Sequence, residues 1–168
     1  SKAETMLKTT HSFSLILPIL ITFSLAIQFI PGTASAEVYK TDSFTLSLPL
    51  GWSLTKGPVK KDGGEMAVFG RNDRKAAFII ISGPFEPGNF KALAEKCAQQ
   101  PGMEKISETE NQAMLKIANN GHDEYTLLRQ DETQTHLLII KFSGELSEMR
   151  FLSTGMTSPF KGLVPELK

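Results

Sequence analysis

Apolar and polar residues alternate along residues 44–48, where Phe44, Leu46 and Leu48 are separated by hydroxyl-bearing residues. A period of two places the apolar side chains on one face of a β-strand and the hydroxyls on the other. The sequence therefore predicts that residues 44–52 hold the first strand of the folded domain and the turn that ends it.

Pro49 and Gly51 predict a tight turn after this strand, with proline at its second position and glycine at its fourth. Trp52 follows at once, so the turn folds a large aromatic side chain back against the sheet. Because aromatic side chains dominate core burial, we interpret Trp52 as a core residue. The alternative is an exposed aromatic at a binding surface.

Residues 53–64 are rich in glycine and lysine and contain Pro58, which predicts a polar loop. Two strands follow at residues 65–70 and 76–82, joined by a turn at residues 71–75. The second of these strands is apolar over its first six positions, as is typical of a strand that is covered on both faces. We therefore predict that it is central in its sheet.

A helical period marks residues 89–100, with Asn89 as a suitable N-cap and Pro101 as the residue that ends the helix. Cys97 is the single cysteine of the chain and lies on the apolar face. We expect a buried thiol there and no intramolecular disulfide. The residues of that face are Phe90, Leu93, Ala94 and Cys97.

Residues 112–156 show four strand patterns separated by turn signals, which predicts an antiparallel meander. Asn120 and Gly121 form the strongest hairpin signal of the chain. In the tail that follows, Ser158 and Pro159 favour the start of a short helix. The predicted strands are residues 113–117, 124–130, 135–142 and 149–155.

These elements predict an α+β fold, with a mostly antiparallel sheet of about six to seven strands and helix cover. The opening strand and the meander are expected to share one sheet. A chain of 168 residues has the length for one domain with a real core but not comfortably for two.

An apolar run at residues 13–30 follows Lys8 and ends in a small-residue site, Ala34-Ser35-Ala36. These are the features of a cleavable secretory signal, so we predict a signal peptide at residues 1–36 and a single domain at residues 37–168. Residues 1–5, ahead of Met6, add nothing to a signal and read as a cloning remnant or an upstream extension. The alternative is an uncleaved membrane anchor, because about 18 apolar residues just span a bilayer. The first reading predicts an exported protein, periplasmic or extracellular, without stable membrane insertion.

The charges of the chain are balanced, with 18 basic and 18 acidic side chains. Loss of Lys2, Lys8 and Glu4 with the signal leaves 16 basic and 17 acidic groups. A net charge of −1 lacks the basic footprint of a nucleic-acid-binding protein.

Candidate chemistry is sparse, because His122 and His136 are the only histidines after the signal and neither belongs to a zinc-binding motif. No nucleotide-binding glycine motif or serine-hydrolase elbow occurs, so we predict no cofactor, no metal and no catalytic residues. Acidic pairs fall in predicted turns, where we expect solvated side chains, with calcium binding at one pair as the alternative. These pairs are Asp123/Glu124, Asp131/Glu132 and Glu145/Glu148.

Basic side chains cluster at two places, and we hypothesise that both lie at one end of the sheet. Together with Trp52 they would then form a surface for an acidic protein partner. The basic residues of this partner-binding surface are Lys60, Lys61, Arg71, Arg74 and Lys75.

The motif F-x-L-x-L-P-x-G-W at residues 44–52, directly after a signal peptide, resembles the PsbP-like superfamily, which includes the photosystem II protein and exported bacterial DcrB-like proteins. The order of strand, hairpin, helix and meander extends the resemblance over residues 37–156. It implies a helix-sheet-helix sandwich and an accessory or binding role without catalysis. The chain departs from the family pattern in its tail, where Pro165 stands close to Lys168 and leaves no room for the usual long closing helix.

Together these observations predict an exported, non-enzymatic binding or accessory protein of the cell envelope, with a protein partner. One alternative is a carrier of a small apolar ligand, held between the helix at residues 89–100 and the sheet. A second alternative is an enzyme of unrecognised type, which requires titratable side chains to converge in one concave site.

Overall fold

The computed structural model describes residues 37–119 and 121–167 of the chain. The predicted signal peptide, residues 1–36, lies outside the described residues, as does Asn120. Within the described ranges, no helix is both long and apolar enough to cross a membrane.

Ten strands and three short helical segments make up this part of the chain. The helical segments are α1 (Phe90–Ala98), a 3₁₀ helix (Leu146–Arg150) and α2 (Phe151–Thr154). The strands are β1 (Val38–Lys40), β2 (Thr45–Ser47), β3 (Trp52–Lys61), β4 (Gly64–Arg71), β5 (Ala77–Pro84), β6 (Met103–Glu108), β7 (Gln112–Asn119), β8 (His122–Gln130), β9 (His136–Ser143) and β10 (Met156–Thr157).

Seven of the strands form one antiparallel sheet, in the order β3-β4-β5-β9-β8-β7-β6. The remaining three form a small antiparallel sheet, in the order β1-β2-β10. The α+β class and the mostly antiparallel sheet are therefore confirmed.

The centre of the large sheet is the pair β5–β9, in which Ile80 lies opposite Ile140. Successive residues of both strands are buried, so each strand is covered on both faces. This confirms the predicted central position of residues 76–82, whose continuous apolar run requires cover on both sides.

One face of the large sheet is covered by α1, as the helical period predicts. The apolar stripe of α1 packs on side chains of β7, β8 and β9, among them Ala113, Leu128 and Ile139. Asn89 precedes the helix but makes no side-chain capping hydrogen bond. Its amide Nδ2 instead donates to Glu86 Oε2 at 3.1 Å.

The other face is covered by the small sheet, by the helical segments at residues 146–154 and by the tail. Tyr39 of β1 lies edge-on to Phe69 of β4 at 5.0 Å between ring centroids, and its hydroxyl donates to the Glu65 carboxylate. The other buried side chains of this cover include Phe44, Leu46, Leu48, Met149, Leu152, Met156 and Leu163.

The opening strand therefore does not share a sheet with the meander, and that prediction is wrong. Its apolar face packs across the large sheet, and its hydrogen bonds go to β1 and β10. The turn after it is also shifted by one residue, because the Trp52 N–H donates to the Pro49 carbonyl at 3.1 Å. Gly51 is thus the third residue of the turn, where its φ of +87° favours glycine.

Residues 53–64 form most of strand β3 and its turn to β4, so the predicted loop is wrong. Glycine, proline and lysine are tolerated because β3 is an edge strand, with Lys56, Lys60 and Lys61 exposed to solvent. Two register shifts against β4, on either side of Lys56, accommodate the irregular sequence.

The segment predicted as the last strand, residues 149–155, is helical. Met149 and Leu152 are buried, and their spacing of three residues is that of one helix face. The tail beyond β10 forms no helix, because the Ser158 hydroxyl donates to the Ser43 carbonyl at 2.6 Å and accepts from the Phe160 N–H in a turn.

Candidate functional site

An open groove of about 530 Å³ lies between the tail and the large sheet. Most of its lining belongs to the tail, and the rest comes from Arg129 of β8 and Ser153 of α2. The lining residues are Arg129, Ser153, Gly162, Val164, Pro165, Glu166 and Leu167.

Arg129 comes from β8, where it continues the same face as Tyr125 and Leu127. The face is apolar along these two residues and packs against the small sheet and the tail. At the next position of this face, Arg129 stands where the pattern predicts an apolar residue. Only 10% of its side chain is exposed. Buried cations require partners, and the hydrogen bonds of Arg129 go to Gln112 of β7 and to Gly162 and Glu166 of the tail.

The guanidinium holds the tail by two hydrogen bonds and contacts strand β7 by a third. Its Nε donates to the Gly162 carbonyl, and Nη2 donates to Glu166 Oε1 at 3.0 Å. Nη1 is 3.4 Å from Gln112 Oε1, which makes this the longest contact of the three. Arg129 thus joins the tail to the neighbouring strand.

Gln112 of β7 holds the tail backbone independently of the charges. Its Nε2 donates to the Glu166 carbonyl at 2.9 Å, and its Oε1 accepts from the Glu166 N–H, also at 2.9 Å. On the other side of the tail, the Leu167 N–H donates to Ser153 Oγ at 3.0 Å. The backbone of Glu166 is therefore fixed by neutral groups, whatever its side chain does.

The Glu166 side chain is 70% exposed although it pairs with a nearly buried cation. A guanidinium presents its N–H groups as a planar fork that suits two carboxylate oxygens at once. The groove is therefore suited to bind an anion. In this structure the carboxylate of Glu166 lies at the guanidinium of Arg129.

The predicted partner-binding surface is divided by the structure. Trp52 pairs with Arg71 at one end of the β3–β4 hairpin, and Lys61 pairs with Gly64 at the other. Ten residues of β3 separate the two ends by roughly 30 Å. Lys60 and Lys61 therefore lie at the opposite end from Arg71, Arg74 and Lys75, which corrects the hypothesis of one basic surface.

Trp52 is 6% exposed and lies within an aromatic cluster, as the core interpretation predicts. Its ring is 5.3 Å from that of Phe151, 5.4 Å from Phe78 and 6.1 Å from Phe142. It therefore contributes packing and not a contact surface.

At the basic turn, Arg71 is neutralised by two carboxylates. Its Nε donates to Asp73 Oδ1 at 2.8 Å, and its Nη1 donates to Glu148. These hydrogen bonds raise the pKa of Arg71, and the bond from Arg71 lowers the pKa of Asp73. Arg74 and Lys75 are exposed beside them and remain a candidate contact for an acidic partner.

The two histidines lie at opposite ends of the large sheet. His122 begins β8 and His136 begins the antiparallel neighbour β9, so more than about 20 Å separates them. His136 stacks on the ring of Phe160, and its Nδ1 is 3.1 Å from Thr135 Oγ1. Among the described residues, no three metal-ligating side chains come together.

The expectation that the acidic pairs are solvated is wrong for some of their members. Asp123 and Glu124 lie in β8, near Lys116 and Asn119 respectively. Glu148 forms the ion pair with Arg71. Asp131 is 1% exposed, and its carboxylate accepts the backbone N–H groups of the turn that joins β8 to β9.

The thiol of Cys97 is buried under α1 and is not in a disulfide, as the sequence predicts. Burial raises the pKa of this thiol. A thiol held neutral in an apolar layer is inert, so Cys97 belongs to the core.

One feature of the sequence points to the groove, namely a cation at a position that the strand pattern predicts to be buried. In strand β8 the period of two through Tyr125 and Leu127 reaches Arg129 at a position that should be buried. A cation on an apolar face needs a partner from elsewhere in the chain. The partner, Glu166, is 37 residues away, and no local pattern links the two.

No family model matches the chain, and no curated protein matches it. Among solved structures, the solution structure of cyanobacterial PsbP (CyanoP) from Synechocystis sp. PCC 6803 is similar to this chain. The two sequences are 12% identical, the match covers 83% of this chain and 99% of that chain, and the TM-score is 0.46. The name of that protein agrees with the PsbP-like resemblance predicted from residues 44–52.

Proposed function

We propose that the chain is an exported, non-enzymatic binding or accessory protein of the cell envelope, and that the Arg129 groove is its binding site. The observation that carries the proposal is a nearly buried guanidinium that lines an open groove, with an exposed carboxylate as its counter-ion. A fixed cation in a concave site supplies orientation and specificity for a ligand.

Export is supported by the position of the predicted cleavage site. Strand β1 begins at Val38, two residues beyond Ala36, so a cut after Ala36 would leave every described element intact. The small residues before the cut and the apolar run ahead of them supply the signal.

The arrangement of side chains favours a binding protein over the two alternatives. An enzyme needs titratable groups within hydrogen-bond reach of one another, whereas His122 and His136 stand at opposite ends of the sheet. A carrier needs a cavity under α1, whereas the residues of the helix face and of the sheet below it form one packed cluster. In that cluster Ala94 and Ile139 are both fully buried.

We further propose that the small sheet and α2 take the place of the second helical layer of a PsbP-like helix-sheet-helix sandwich. They cover the face of the large sheet opposite α1, where such a layer would lie. The tail completes that cover and forms one wall of the groove.

The test is retention of a protein from an envelope fraction by the immobilised full chain, compared between two variants. Arg129→Lys keeps the charge but loses the planar fork, and Arg74→Gln removes a charge from the basic turn. The proposal predicts a partner that Arg129→Lys loses and Arg74→Gln keeps, with circular dichroism confirming that both variants fold.

The opposite pattern would move the binding site to the basic turn. Retention of the same partner by both variants would contradict the groove as the site. Absence of any retained protein would contradict the role of a protein-binding module.

A further inference from the structure

We propose that the Arg129 groove binds a ligand that has a carboxylate group on an apolar body, and that Glu166 is an internal occupant of the carboxylate position. This inference rests on the proposed function and names the class of ligand. The chain would then be held in a self-occupied state, from which an external carboxylate displaces Glu166.

The guanidinium of Arg129 has hydrogen-bonding capacity that the chain does not use in the contacts described above. Arg129 has five N–H donors, and three of them make the hydrogen bonds described above. Its Nε bond to the Gly162 carbonyl fixes the plane of the fork. The Nη groups contact a single Glu166 oxygen and a Gln112 oxygen at 3.4 Å, so an incoming carboxylate would gain a second oxygen contact.

The Glu166 side chain can move away from Arg129 while the backbone of the tail stays in place. Gln112 bonds to both the N–H and the carbonyl of Glu166, and Ser153 bonds to the next residue. The side chain itself is 70% exposed. Because these neutral groups hold the backbone, exchange of the Glu166 carboxylate for another would leave the tail in place.

The lining of the groove includes apolar residues beside Arg129. Val164, Pro165 and Leu167 contribute to its walls, and its volume of about 530 Å³ lies within the range of small-ligand sites. Pro165 is buried, and an apolar body next to the carboxylate would cover the exposed parts of Val164 and Leu167, which pack with their other parts against the core. The chemistry fits an N-acylated amino acid or the C-terminal residue of a peptide.

The experiment is calorimetric titration of the full chain with N-acetyl-leucine and with N-acetyl-leucinamide. The two probes share the apolar body and differ in the carboxylate. We expect N-acetyl-leucine to bind Glu166→Gln about fivefold more tightly than the unchanged chain, because the internal competitor is removed. The amide should bind neither protein.

Glu132→Gln is the matched control, because Glu132 is also exposed and paired, with Lys161 at 2.8 Å, but lies outside the groove lining. It should bind N-acetyl-leucine as the unchanged chain does. Arg129→Lys should lose the binding, and a near-ultraviolet dichroism spectrum shows whether it folds. If it does not fold, the contrast between the two probes still decides.

Equal affinity of Glu166→Gln and the unchanged chain would overturn the inference, and so would equal binding of the acid and the amide. If these titrations fail while a protein partner is still lost with Arg129→Lys, the proposed function stands and the carboxylate ligand is wrong. If the partner is absent as well, both fall.

Discussion

Asp131 shows at the scale of one residue how a polar side chain organises this fold. Its Oδ1 accepts the N–H of Thr135 at 2.8 Å and of His136 at 2.7 Å, and its Oδ2 accepts the N–H and hydroxyl of Thr133. Burial opposes ionisation of this carboxyl, but these hydrogen bonds outweigh it and lower the pKa. The carboxylate is therefore a structural part of the turn between β8 and β9.

We predict that Asp131→Asn destabilises the protein by about 1–3 kcal/mol at neutral pH, because three backbone N–H groups of the turn lose a charged acceptor. The stabilisation by Asp131 is fully present above the unfolded pKa of about 4 and is lost as the pH falls through the lower folded pKa. The difference between the two proteins should therefore shrink in acid. Guanidinium denaturation followed by fluorescence of the single tryptophan, Trp52, measures it.

Glu132→Gln serves as the control for this measurement, because Glu132 is the exposed neighbour of Asp131. Its free energy of unfolding should stay within about 0.5 kcal/mol of that of the unchanged chain. A loss for Asp131→Asn that grew toward low pH would contradict the role given to the carboxylate.

For single residues, the sequence predicts which side chains are buried but not which partners they meet. A period of two correctly places Phe44, Leu46 and Leu48 in the core, because local alternation is enough to define a buried face. It gives no information on which element covers Arg129 or Asp131. The partners of those side chains depend on the tertiary fold.

At the scale of elements, prediction succeeds where the pattern itself carries the structure. Strand β5 has a continuous apolar run and α1 has a clear helical period, and both were predicted close to their observed bounds. Strand β3 was not predicted, because an edge strand tolerates glycine, proline and lysine once β4 supplies its hydrogen-bond partners. Strand β6 is also at an edge and almost wholly exposed, so it carries no apolar period.

We predict that this difference between central and edge strands appears in native-state hydrogen exchange. The amides of β5 and β9 are covered on both faces and should exchange slowest, close to the rate set by global unfolding. The amides of β3 beyond Thr55 and those of β6 should exchange faster through local opening, because most of these residues are exposed. Mass spectrometry of peptic fragments measures both.

Equal protection of β3 and β5 would contradict this account of the sheet. It would mean that the irregular edge strand opens only when the whole domain unfolds. Strand β7 is an internal standard for the effect of burial on exchange, because its first residues are buried and its last ones are exposed.

At the scale of the molecule, the tail connects the fold to the proposed function. Residues 158–167 cross the cover of the large sheet and bring Glu166 to the guanidinium of Arg129. The tail forms no helix over these residues, and five of them line the groove. A segment that the sequence pattern described only as too short for a long helix is thus central to the candidate site.

The central claim is that the groove binds a partner in the cell envelope, and site-specific photo-crosslinking in intact cells tests it most directly. A crosslinking amino acid placed at Val164 lines the groove, and one placed at Glu95 lies on the exposed side of α1 as a matched control. The account predicts a discrete crosslinked product from Val164 that is absent from Glu95 and is lost when Arg129→Lys is added. Identical products from both positions, or a product from Val164 that persists with Arg129→Lys, would contradict it.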